Sequence, residues 1–388
     1  MRKLFLLSLL ALLVPLAGVA EEPAAPAPVA AAATTAPKWY EAIELHGYVD
    51  SYYGLRLGAP QNALNSLRAF DQPNGFVLNL AKATVLMNPT ASVPVGFRID
   101  LGFGNTMNVI AAASPYLGPT YNVDAANAFK FIEQAYATLK LGDFTLDLGR
   151  FVTSAGAEVI EAKDNWNYSR SLLFTWAIPL THTGLRVSYA TPGIDGLTLQ
   201  AGLVNGWDVT VTNSPFKTLE LGAIYNGPES TVLSLIYLGG PSPVAPGPIA
   251  PYPDATYGPV ANAYGGWQNL LDVVLQRAFG DFTVNLNADL GILGGAGNWG
   301  GFSIMAKYAA LGDKLRISAR YEYFWDPKGL RVGYISGQYT EGTVTLGVPI
   351  VSNAEVRLEY RLDHANQPMF YAGCNNDNTI EAALMAWF

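Results

Sequence analysis

DFTVNLNADL, residues 281–290, and NAEVRLEYRL, residues 353–362, alternate side chain by side chain between apolar and polar. In the first, Phe282, Val284, Leu286, Ala288 and Leu290 share one face, and Thr283, Asn285, Asn287 and Asp289 share the other. In the second, Ala354, Val356, Leu358, Tyr360 and Leu362 oppose Glu355, Arg357, Glu359 and Arg361. A period of two is the repeat of a β-strand, and the 3.6-residue repeat of a helix fits neither stretch. Each strand therefore needs an apolar medium on one side and a polar one on the other. A β-sandwich and a membrane barrel both supply that.

Working outward from these two, the same alternation recurs, bounded by Gly, Pro, Asn or Asp, and sixteen strands are predicted: 43–57, 76–87, 94–104, 131–141, 143–151, 182–190, 195–206, 216–226, 230–239, 267–279, 281–293, 300–310, 313–325, 335–348, 353–362 and 378–388. The connections decide between sandwich and barrel. Those at 58–75, 105–130, 152–181, 207–215, 240–266, 294–299, 326–334 and 363–377 alternate with brief ones at 88–93, 142–143, 191–194, 227–229, 280–281, 311–312 and 349–352. Tight turns at one end and longer loops at the other, with an even strand count, are what a transmembrane antiparallel up-and-down β-barrel requires. The last strand agrees, since Ile380, Ala382, Leu384, Ala386 and Phe388 form an apolar face ending on an aromatic residue. Tyr321, Tyr323 and Trp325 run toward one rim and Phe279, Phe282 and Phe388 lie near the other, as interfacial belts would place them.

Composition narrows the class further. Half of the 388 residues are hydrophobic and only 14% are charged, against roughly 25% in an ordinary soluble domain. The formal charge of -8 and the lack of a basic stripe speak against nucleic acid as a partner. One cysteine, Cys374, excludes an intramolecular disulfide, and with three scattered histidines the spacing of a structural zinc site is missing. Arg2 and Lys3, an apolar run from Leu4 to Leu16 and small residues up to Ala20 have the layout of a signal peptide, 1–20. The run is short of the roughly 20 residues that span hydrocarbon. Residues 21–40 read as an Ala/Pro-rich periplasmic linker and 41–388 as the barrel. The expected location is the outer membrane of a Gram-negative-type bacterium.

If the apolar faces meet lipid, the charged faces must line the lumen, because an exposed charge near the bilayer midplane costs about 2–4 kcal/mol. The predicted pore-lining set is Arg98, Asp100, Lys140, Asp147, Arg186, Glu220, Asp272, Asp289, Arg316, Arg320, Glu322, Arg357, Glu359 and Arg361, and its signs nearly cancel. Sixteen strands enclose a cylinder too wide for wall side chains to fill, so an aqueous channel remains unless a loop enters it.

The longest connection, 152–181, carries Glu158, Glu161, Lys163, Asp164 and Arg170 among several aromatics. Its sequence, GRFVTSAGAEVIEAKDNWNYSRSLLFTWAIPLTHTGLR from Gly149 to Arg186, together with ELHGYVDSYYG from Glu44 to Gly54 and the terminal Phe388, resembles the OmpL-like outer-membrane β-barrel porin family. The likeness covers 41–388 in organisation, and only Gly149–Arg186 is specific. By resemblance, 152–181 is a loop inserted as a constriction, with Glu158, Glu161, Lys163, Asp164 and Arg170 as its working residues. The resemblance also implies a homotrimer. The competing reading is an external loop packed on the rim.

No catalytic set assembles. His46, His182 and His364 lie in different strands or loops, and Asp363 beside His364 is a single weak pair. The carboxylates in 158–164 lack the spacing of a calcium loop, so no metal and no cofactor are expected. A plugged receptor would need a globular plug and typically about 22 strands. The predicted function is passive diffusion of small hydrophilic solutes or ions through a water-filled barrel in contact with outer-membrane lipid. Alternatives are a substrate-specific channel or a blocked structural or adhesion barrel. An enzyme is not expected.

Overall fold

The computed structural model describes residues 39–60, 65–71, 75–114, 116–117, 129–212, 214–241, 266–332 and 335–388. The expected signal peptide 1–20, the linker up to residue 38 and most of the Pro-rich connection 240–266 lie outside the described residues. The strands are β1 Ile43–Leu57, β2 Gly75–Met87, β3 Val95–Phe103, β4 Tyr116–Leu117, β5 Ile132–Leu141, β6 Phe144–Val152, β7 Thr181–Ala190, β8 Leu197–Val204 and β9 Val211–Thr212. They continue with β10 Thr218–Asn226, β11 Val232–Pro241, β12 Trp267–Phe279, β13 Phe282–Leu293, β14 Gly297–Ala310, β15 Leu315–Asp326, β16 Gly337–Val351, β17 Ala354–Ala365 and β18 Asn376–Trp387. One α-helix, α1, spans Asn105–Ala113.

Sixteen of these strands close into one antiparallel barrel, each paired with its chain neighbours. Every strand read from the alternation is present, with ends shifted by at most three residues. The two extra strands, β4 and β9, are two residues each and pair with one another in parallel across two long connections. Segments so short carry no periodicity to read. Closure is made by β1 against β18, from Tyr48 opposite Trp387 to Leu57 opposite Asn378. Beyond that ladder Gly47 and Phe388 exchange two backbone hydrogen bonds, so the terminal aromatic completes the seam.

Two brief turns, Gly142–Asp143 and Gly280–Asp281, connect directly paired residues, Leu141 with Phe144 and Phe279 with Phe282. A two-residue hairpin needs positive φ at its first central position. Gly142 and Gly280 meet this at φ 59° and 62°, where a Cβ would be strained. Around these turns Phe144 stacks on Tyr189 and Phe282 on Tyr308, forming the aromatic girdle of the short-turn end.

The sidedness also follows the sequence. Leu286, Leu290, Leu358, Tyr360 and Leu384 stand outward, while Asn285, Asn287, Asp289, Glu359 and Glu381 are buried within. Between β3 and β5 the register shifts by one residue at Asp100/Leu101. Such a bulge re-aims a side chain, and Glu133 and Gln134 are both buried there, reaching Lys82 and Asp100 on the inner wall.

The lumen is occupied. The first long connection sends Leu67, Phe70 and Trp176-bound backbone inward, with the Trp176 indole N–H donating to the Leu67 carbonyl at 2.9 Å. Helix α1 folds back over the wall, where Met107 lies against Gly102 so closely that a Cβ there would sit 2.7 Å from its sulfur. Between them, the segment after β6 contributes Ile160, Tyr168, Leu172, Leu173, Phe174, Trp176 and Ile178 to one apolar cluster with the wall residues Tyr52, Ile236, Leu238, Leu270, Trp299 and Phe324.

Candidate functional site

A chain segment inside a barrel brings backbone N–H and C=O groups that no neighbouring strand pairs, and leaving them bare would cost about 1–3 kcal/mol each. The wall formed by β15, β16 and β17 answers with charged side chains of both signs. The Glu359 carboxylate accepts from the N–H groups of Tyr168 and Ser169 at 2.6 and 3.0 Å. Glu322 accepts from Leu172 at 2.5 Å and from Leu173 at 3.4 Å. In the other direction Arg320 donates to the Ser169 carbonyl at 2.8 Å, Arg361 to that of Arg170 at 2.6 Å, and Arg357 to those of Ala162 and Asn167 at 2.8 and 3.2 Å. The alternation of Glu and Arg along the polar face of β17 thus supplies acceptors and donors to one stretch of main chain.

The segment's own side chains complete the contact. Arg320 bridges Glu158 at 2.7 Å and Glu341 at 2.5 Å, and Glu158 also accepts from the Ser171 N–H at 2.7 Å. Arg170 turns back on its own segment, donating to the carbonyls of Tyr168 and Ile160. The Tyr168 hydroxyl donates to Asp50 at 2.8 Å, and burial followed by that carboxylate pushes its pKa well above the usual phenol value. Glu161 contacts the Lys82 ammonium. Burial disfavours its charge, yet Lys82 prevails and holds its pKa below the ordinary carboxylate value. Lys163 pairs with Asp164 at 2.7 Å at the open edge.

Of the predicted wall residues, Asp100, Arg186, Glu220, Asp272, Asp289, Arg320, Glu322, Arg357, Glu359 and Arg361 face inward but are covered. Arg98, Lys140, Asp147 and Arg316 stay open to solvent at the short-turn end. There, two wet recesses of about 310 and 390 Å³ remain, the first bordered by Lys82, Arg98, Glu161 and Lys163, the second by Lys140 and Asp147. The covered residues therefore do not line water as the sequence reading had them; the inserted segments take the place of solvent. Arg186 shows the same pattern on the opposite wall, clasping Glu220 at 2.8 Å while stacked 4.1 Å from the Phe151 ring centroid.

Asp50, Arg56, Lys82, Glu133, Glu341, Glu355, Asp363 and Glu381 belong to the same interior and were missed, although most lie on the polar parity of predicted strands. Asn65, Arg68 and Asp71, from the first long connection, had no such signal. Asn65 donates to Asp363 and Asp377 at 2.9 and 2.7 Å, and Arg68 bridges Asp71 and Glu381. Burial opposes the Asp71 charge, but Arg68 against it keeps its pKa below the usual value. The Asp363–His364 pair separates, with Asp363 held by Arg361 inside and His364 beside Asn376.

At the far end, the return of the segment into β7 is fixed by Asp208. Its carboxylate accepts from the N–H groups of Leu180 and Thr181 at 2.7 and 2.8 Å. Burial nonetheless pushes its pKa up to about 6.

The profile of the family described as "Putative beta-barrel porin-2, OmpL-like" matches residues 42–387. No curated protein sequence matches the chain. Among solved structures, the trimer form of OmpT from Vibrio cholerae aligns with a TM-score of 0.57 at 11% identity, covering 89% of this chain and 99% of that one. An anion-selective porin from Comamonas acidovorans aligns at 0.56 and 12% identity over 89% and 99%. OmpF of Salmonella typhi, in complex with daunomycin, aligns at 0.58 and 12% identity over 89% and 97%. These likenesses concern the fold. The family match spans nearly the whole barrel, and the chain belongs to the OmpL-like β-barrel porins of the outer membrane, whose role is that of a channel.

Proposed function

We propose that this porin conducts small polar solutes or ions by passive diffusion, that residues 152–181 are its constriction, and that no bond is made or broken. The observation that carries the reading is the binding of the 162–173 backbone by Glu322, Glu359, Arg320, Arg357 and Arg361. A segment held in this way sets the free cross-section of the bore. Because it covers most of the charged wall, unitary conductance is low, and solute choice falls to the wet recesses carrying Arg98, Lys163 and Asp164 in one and Lys140 and Asp147 in the other. Export by cleavage of 1–20 and assembly as a homotrimer complete the proposal; a trimeric form among the similar structures supports the latter.

The covered wall also favours one second reading, a barrel closed at rest. Planar bilayers with folded protein separate the two. Deletion of residues 160–170 should raise the conductance step several-fold if the segment constricts, and an unchanged step would retire that role. Silence of the intact chain with stepwise conductance of the deletion supports closure at rest.

A further inference from the structure

Among the described residues most interior carboxylates have a guanidinium, ammonium or backbone N–H partner, but an adjacent pair on β12 and β13 is poorly served. Asp272 on β12 and Asp289 on β13 are direct cross-strand partners on the inner wall, a position where Cβ atoms stand about 4.5–5.5 Å apart. Both are buried, at 0% and 3% exposure. Asn287 donates to one oxygen of Asp272 at 2.7 Å, and the Gly156 N–H from the inserted segment reaches the same carboxylate. Both oxygens of Asp289 and the other oxygen of Asp272 make no hydrogen bond to a donor. The Asp272 and Asp289 carboxylates lie within hydrogen-bond reach of each other, and the other charge acting on Asp289 is the Glu322 carboxylate. Glu322 is already engaged by the Leu172 and Leu173 N–H groups. On the next strand Gly301 faces Asp289, with Leu173 of the inserted segment packed over the glycine, and the buried Ser303, diagonal to Asp289, has an unused hydroxyl.

Two adjacent buried carboxylates cannot both ionise without a compensating charge. One proton shared between the two carboxylates would satisfy two oxygens and leave the second Asp289 oxygen and the Ser303 hydroxyl without a partner. Hard oxygen donors with no nitrogen or sulfur among them suit a divalent cation with six to eight ligands.

We propose that Asp272 and Asp289, with Ser303 beside them, bind a hard divalent cation, calcium being the probe, and that the ion ties the β12–β13 wall to residues 155–157 at the root of the inserted segment. It would be taken from the external medium, where comparable sites bind at about 10⁻⁴–10⁻³ M.

The experiment titrates EDTA-treated, detergent-folded full chain with radiolabelled calcium by equilibrium dialysis, after gel migration with and without heating has verified folding. One saturable site per chain is expected, weakened at least about tenfold in Asp289→Asn and in Asp272→Asn. Each variant is an independent test should the other fail to fold. Calcium should also raise the unfolding temperature of the parent chain and of neither variant. Absence of saturable binding at millimolar calcium overturns the proposal, as does binding that survives in both folded variants. A carboxylic-acid C=O stretch in the infrared spectrum of the calcium-saturated protein, lost in Asp289→Asn, would show a shared proton instead and would equally overturn it.

Discussion

Arg320 is the single side chain on which the docking of the inserted segment most depends, and its replacement by Met is the sharpest test of that arrangement. The substitution keeps an unbranched apolar stem and removes the guanidinium. With it go the bridges to Glu158 and Glu341 and the hydrogen bonds to the Ser169 carbonyl and hydroxyl at 2.8 and 3.1 Å. Arg320 and both of these carboxylates are shielded from water. Removing one partner of a buried pair costs about 3–5 kcal/mol, chiefly because the remaining charge stays unpaired. At about 1.4 kcal/mol per decade, that shifts the docking equilibrium of 152–181 by roughly two to three and a half powers of ten. The barrel ladders on either side of Arg320 are untouched, so the protein should still migrate as a folded species before heating. Protease cleavage within 152–181 should become faster, and bilayer recordings should show larger or more frequent openings. Arg316→Met is the internal control, because its own side chain is 34% exposed, its partner Asp313 is exposed as well, and the buried Glu355 keeps Arg357 at 2.9 Å when Arg316 is lost. An exposed pair of this kind contributes about 0–1 kcal/mol. If Arg320→Met leaves both protection and conductance at the level of Arg316→Met, the wall does not hold the segment.

Two further outcomes follow from the loops. Asp208, with its folded pKa raised to about 6 from an ordinary 3.8, binds its proton more tightly folded than unfolded, so its contribution favours the folded state at low pH and is lost as pH rises through about 4 to 6. Asp208→Asn keeps an oxygen for the Leu180 and Thr181 N–H groups and removes the titration. The unfolding temperature of the variant should gain on that of the parent across this window, by about 2–3 kcal/mol in stability at most, and parallel pH profiles would refute the assignment. Cys374 is exposed in the connection between β17 and β18, at the long-loop end. With the long loops on the external side, as is usual for such barrels, a membrane-impermeant maleimide should label intact cells producing the protein, with Cys374→Ser as the blank; labelling seen only after the outer membrane is breached would place the long-loop end in the periplasm.

The barrel was legible because lipid and lumen impose opposite demands on successive side chains, and a two-residue period survives any uncertainty in strand ends. Asn285, Asn287 and Asp289 could point nowhere but inward once Leu286 and Leu290 faced lipid. What alternation cannot carry is the content of the lumen. Asn65 and Arg68 sit in a connection without periodicity, and their burial depends on Asp363 and Glu381 respectively, some three hundred residues away in the chain. The bulge that turns Glu133 inward breaks parity at one position, so a strict count assigns that residue to the wrong side. Likewise β4 and β9 arise only because two distant connections meet.

The mixed signs of the wall have a reason that the picture of an open pore does not supply. An open bore tuned for one ion would profit from a ring of one charge, whereas Glu355, Arg357, Glu359, Arg361 and Asp363 alternate along β17. A peptide segment lying against that strand presents N–H and C=O groups in turn, and only a wall of both signs can meet them in sequence. Tyr168 and Ser169 give their N–H groups to Glu359, and Ala162, Asn167 and Arg170 give their carbonyls to the arginines on either side of it. Near cancellation of luminal charge is thus the signature of a barrel built to hold a piece of its own chain. The side chains that remain in water, from Arg98 to Arg316, are then the ones through which selectivity is to be changed without disturbing the hold.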